Sequence, residues 1–69
     1  MSTQARADAI TNLTRAQDAA LKAFERYGCA LANGNDVDLC RDEAERARAE
    51  MAAALRSLAL LVDAQLDAA

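Results

Sequence analysis

Ala32-Asn33-Gly34-Asn35-Asp36 is the one stretch that interrupts an otherwise continuous helical pattern. An Asn-Gly pair supplies the left-handed residue that ends a helix, and Asn35 or Asp36 can cap the helix that follows. Working outward, Ser2 or Thr3 can cap a first helix running over about residues 4–32, and a second helix is predicted over about 37–66. Residues 33–36 are then the turn. At 1.5 Å per residue each helix spans roughly 40–45 Å. Isolated helices of this length are marginal in water unless an apolar face packs on something. A connection this short makes them antiparallel neighbours. The expected fold is all-α: one domain, residues 1–69, forming an antiparallel two-helix hairpin.

Composition agrees. Alanine, leucine and arginine dominate, there is no proline, and Gly28 and Gly34 are the two glycines. Ile10, Val37, Val62 and three threonines are the few strand formers. A chain of 69 residues buries a modest fraction of its surface and usually needs disulfides, a metal or oligomerisation to hold firm. Cys29 and Cys40 are the two cysteines, no histidine accompanies them, and one such chain cannot complete a tetrahedral zinc site. Residues 1–9 carry Arg6 and Asp8 and no apolar core of a leader. Net charge is −3, and no apolar run is longer than five residues, as in Leu58 to Val62, too short to span a bilayer. The expectation is a soluble cytoplasmic helical protein that relies on a second chain.

Ile10, Leu13, Gln17, Ala20, Phe24, Tyr27 and Leu31 follow the alternating three-and-four spacing of a coiled-coil seam in helix 1. Ala9, Ala16, Ala23 and Ala30 recur every seven residues beside it, an edge along which another helix can come close. Thr11, Arg15, Asp18, Lys22, Glu25 and Arg26 form the solvated face. Gln17, polar in mid-seam, is tolerated there or fixes register in an oligomer. Gly28 is a local conflict, costing about 1 kcal/mol against alanine in a helix interior. It reads as fraying near the helix end or as close approach of another backbone. Tyr27 reads as core with its hydroxyl reaching solvent, or as a contact.

Helix 2 divides in two. Val37, Cys40, Ala44, Ala47 and Met51 make a narrow small-residue stripe, flanked by charges whose Arg41–Glu45, Asp42–Arg46 and Arg46–Glu50 spacings suit ion pairs worth about 0.2–0.5 kcal/mol each. The stripe continues through Ala54, Leu58 and Leu61, but Leu55, Ala59, Val62 and Leu66 form a second apolar edge, and Leu60 points elsewhere. One neighbouring helix covers a stripe about 100° wide, so helix 1 alone cannot bury this stretch. Burying a leucine contributes about 1.5–3 kcal/mol. Leaving Leu55, Leu60, Val62 and Leu66 exposed would forgo several kcal/mol in a domain with about 5 in total. The residues expected at a dimer or partner interface are therefore Leu55, Leu58, Leu60, Val62 and Leu66 with Ile10 and Leu13. Two hairpins pairing into a four-helix bundle satisfy them. So does a groove in a different protein.

Chemistry finds no foothold. The usual neutral-pH base is absent, Ser2 and Ser57 have no base at a recognisable offset, and no glycine-rich phosphate loop occurs. No E-x-x-H motif exists for a di-iron bundle, so a non-enzyme without cofactor or metal is expected. Cys40 reads as a small buried hydrophobe and Cys29 as a surface thiol on the polar side of helix 1. Arg6, Arg15, Lys22 and Arg26 are interrupted by Asp8, Asp18 and Glu25, and no aromatic interleaves them, which disfavours nucleic acid.

Three resemblances follow from this layout. Size and heptads are similar to the Rop-type plasmid copy-number regulators, RNA-binding dimers of hairpins. Leu31-Ala-Asn-Gly-Asn-Asp36, followed by a helix ending in leucine-rich Leu55 to Val62, resembles the co-chaperones of type III secretion needle subunits, which hold up a larger helical-repeat chaperone. Asn12-Leu13 with Ala16, and Arg41-Asp42 ahead of an alanine–leucine helix with Ala64-Gln65 near its end, look like the phage-encoded anti-activators of quorum sensing. That last resemblance implies target contacts near Tyr27, Cys40 and Arg41. All three imply one class, a helical binder that modulates another macromolecule.

Overall fold

The computed structural model describes the backbone of residues 3–68 and the side chains of residues 3–64. It contains two helices, α1 (Thr3–Asn33) and α2 (Val37–Ala68), and no strand among the described residues. They fold back on each other as an antiparallel hairpin measuring 53 × 16 × 12 Å. Ser2 lies outside the described residues, and α1 begins at Thr3 itself.

The turn forms as its sequence requires. Gly34 adopts φ 72°, and its N–H donates to the Ala30 carbonyl at 2.7 Å, the bond that closes a helix with a left-handed residue. Asp36 follows at φ 53°, a conformation aspartate tolerates better than most residues. Its carbonyl accepts the Cys40 N–H at 3.0 Å and so starts the hydrogen-bond ladder of α2. Space at Gly34 is open, with nothing within 4 Å of an added Cβ, so a substitution there is opposed by backbone conformation alone. Gly34→Ala is expected to destabilise the hairpin by about 1–2 kcal/mol, read from a urea titration at fixed protein concentration.

Between the helices the core is made of alanine. Ala9, Ala20, Ala23 and Ala30 of α1 and Ala44 of α2 are buried, and no large side chain is fully buried among the described residues. Leu13, Ala16 and Tyr27 of α1 stand half-buried in line with them. On α2 the half-buried line is Val37, Cys40, Ala47, Met51, Ala54, Leu58 and Leu61, which is the stripe anticipated from spacing.

The inward face of α1 differs from the expected seam. Leu13, Ala20 and Tyr27 point inward as anticipated, but Ile10, Gln17, Phe24 and Leu31 are exposed, and Ala9, Ala16, Ala23 and Ala30 take their places. The helix is rotated by about half the width of a seam. Only residues 34–36 connect the helices, so the chains leave the turn side by side, and α2 presents small residues there, Cys40, Ala44 and Ala47. Small against small lets the axes close to the near end of the 8–10 Å range, whereas Phe24 and Leu31 would hold them apart.

Ion pairing also differs in detail. Arg41 binds Asp38 at 3.0 Å instead of Glu45, and neither Asp42–Arg46 nor Arg46–Glu50 forms. Exposed pairs of this kind gain only a few tenths of a kcal/mol in water, too little to hold long side chains in one rotamer. Pairs that do form include Lys22–Asp18 at 3.1 Å within α1 and Arg26–Glu43 at 3.5 Å between the helices.

Candidate functional site

The seam divides the surface of the hairpin into two unlike flanks. Arg26 and Glu43 each precede a seam residue, Tyr27 and Ala44, and they meet across one side. In an antiparallel pair the rows that precede the seam share one flank, and the rows that follow it share the other. The first flank is polar. A shallow depression on it is lined by Arg26, Glu43, Arg46 and Glu50 around small seam residues.

The second flank is apolar over much of its length. From α1 it carries Ile10, Phe24 and Leu31, each one residue after a buried or half-buried alanine, with Leu21 beside them. From α2 it carries Leu55 and Val62, one residue after Ala54 and Leu61. These six side chains are between 40% and 65% exposed. At mid-length Gln17, Ala20, Leu21, Phe24 and Met51 line an open groove of about 360 Å³. Gln17 sits inside an otherwise apolar row, able to hydrogen-bond whatever covers it. Toward the turn the flank ends in Arg41, already held by Asp38, and Arg48.

The residues expected at an interface are thus dispersed. Ile10, Leu55 and Val62 stand together on the apolar flank. Leu13 and Leu58 are half-buried in the seam, where they serve the hairpin itself. Leu60 is 66% exposed but lies about 140–160° around α2 from Leu55 and Val62, so one partner surface cannot take all three. Leu66 lies outside the residues whose side chains are described. Spacing alone did not place Leu21, Phe24 and Leu31 at this site, although the alanine row beside them carried the signal.

Near the turn, Tyr27 is half-buried in the seam, Cys40 is half-buried at the start of α2, and Arg41 is exposed beside it. Cys29 is exposed, both thiols are free, and the two line one shallow cavity with Lys22, Asn33 and Asp36. Their common placement follows from the packing of one helix on the other, which the spacing within each helix does not give. Among the described residues no three metal-ligating side chains gather, and no helix is long and apolar enough to cross a membrane.

Fold and site together define an all-helical hairpin with one uncovered apolar flank. No protein-family model, curated protein or solved structure matches the chain.

Proposed function

We propose that this chain is a non-enzymatic protein-binding module, a homodimer in which two hairpins cover each other's apolar flank as a four-helix bundle. The dimer modulates or inhibits a protein target, as the resemblance to phage-encoded anti-activators implies. One observation carries the reading: the hairpin's own core is alanine, while Ile10, Phe24, Leu31, Leu55 and Val62 lie in register on a flank that the chain does not cover. A small domain with so little buried area is marginal alone, and covering five large side chains supplies what its core lacks. The polar flank, and Cys40 near the turn, stay available to the target.

Sedimentation equilibrium across a dilution series tests the reading. A reversible dimer near twice 7.3 kDa is expected, with helicity falling as the dimer dissociates. A chain that stays monomeric and loosely helical would point to a foreign groove, the arrangement of a secretion co-chaperone.

A further inference from the structure

Cys29 and Cys40 are the chain's two thiols, and the fold brings them to one place. Arg26 and Glu43 meet across the helix pair at 3.5 Å. Three residues nearer the turn from each stand Cys29 on α1 and Cys40 on α2. Because the helices are antiparallel, both steps of about 4.5 Å run the same way along the hairpin, so the two cysteines share one level. Their faces adjoin as well. Cys40 is half-buried in the seam, Cys29 directly precedes buried Ala30, and both line the cavity of about 480 Å³ beside the turn. Both thiols are free. An alanine core lets the helix axes approach to about 8 Å, and Cα atoms lie about 2.3 Å from each axis, so residues at one level on adjoining faces come to roughly 6 Å. A disulfide spans about 4.4–6.8 Å between Cα atoms.

We infer that Cys29 and Cys40 are a redox pair that closes a disulfide between α1 and α2 beside the turn, with a low-molecular-weight disulfide as the oxidant. Cys29 is exposed and Cys40 half-buried, so the incoming disulfide meets Cys29 first. The Cys29 thiolate attacks one of its sulfurs, forms a mixed disulfide and expels one thiolate. The Cys40 thiolate then attacks Sγ of Cys29, and the second thiolate leaves. The protein's two thiols give up two protons and two electrons, and the small disulfide is reduced to two thiols. Closed, the link ties α1 to α2 and removes conformations chiefly from the unfolded chain, so the oxidised hairpin is the more stable form. The inference rests on the hairpin alone and holds with or without a second copy.

The test equilibrates the full chain with reduced and oxidised glutathione, in native buffer and in urea, and reads the species by intact mass and free-thiol assay. The expected native product is a chain lighter by two hydrogens, with both thiols lost together. The effective concentration of the pair should be at least about tenfold higher folded than in urea. Cys29→Ser and Cys40→Ser should each stop at the mixed disulfide with glutathione. Glutathione adducts or covalent dimers as the native products of the wild-type chain would overturn the pairing. So would an effective concentration in urea that equals or exceeds the native one, because a pair that the hairpin holds apart closes more easily once the chain unfolds.

Discussion

Replacing Phe24 with glutamate is expected to abolish self-association and take most of the helicity with it. Phe24 is 45% exposed in the single hairpin and lines the groove with Gln17, Leu21 and Met51, so the hairpin by itself loses little. In the proposed dimer the residue occurs twice. Each copy forfeits the burial of the 45% of Phe24 still exposed, about 0.7–1.4 kcal/mol, and places an unpaired carboxylate against apolar surface, which adds at least ~1–3 kcal/mol. Two copies together weaken the dimer by about 3 kcal/mol or more, beyond a hundredfold in Kd. Circular dichroism and sedimentation at matched concentrations read both consequences. Were Phe24 an ordinary surface residue, the change would stay within about 0.5 kcal/mol, and unaltered mass and helicity would reject its place in an interface.

Ala44→Leu is expected to produce the largest loss attributable to the hairpin itself. Ala44 is 1% exposed, the most enclosed of the buried alanines, and faces a stripe of α1 made of alanine and Tyr27. Three extra carbons find no room unless the helix axes part, and parting them disrupts small-residue contacts along the seam. Overpacking of this kind costs about 1–3 kcal/mol, which for a chain of this size lowers Tm by roughly 5–25 °C. Ala49→Leu is the matched control, since Ala49 is exposed on the same helix and leucine is nearly as good a helix former as alanine. The control should melt within a few degrees of wild type at the same protein concentration. Equal melting of the two variants would mean that α2 does not pack on α1 through Ala44.

The turn and the inward stripe of α2 were legible in the sequence because each has one solution. Asn33-Gly34 is the only place where a left-handed residue can end a helix next to possible caps, and Val37, Cys40, Ala44, Ala47 and Met51 have no competing row and set the line that Ala54, Leu58 and Leu61 continue. Helix α1 has two. Leu13, Ala20 and Tyr27 belong equally to a seam completed by Ile10, Gln17, Phe24 and Leu31 and to one completed by Ala9, Ala16, Ala23 and Ala30. Periodicity cannot separate rows about 100° apart that share a third between them. Hydrophobicity favours the row with the larger side chains, but an intramolecular partner of small residues favours the row that lets the backbones close. The larger row is thereby left outside, and the uncovered flank is a consequence of that choice. The leucine edge of α2 was legible as surplus; that its complement lies on α1 followed only from the rotation. Ion pairs were the least legible feature, since Arg41 has Asp38 and Glu45 both within reach and an exposed pair differs little in free energy between the two.

The central claim, that a second copy covers the apolar flank, is tested most directly by NMR on a mixture of isotope-labelled and unlabelled protein, filtered for contacts between different chains. The account predicts intermolecular contacts from the Phe24 ring and the Ile10, Leu31, Leu55 and Val62 methyls, with none from Leu39 or Leu60. Intermolecular contacts confined to Leu39 and Leu60, or their absence in a fully folded chain, would contradict it.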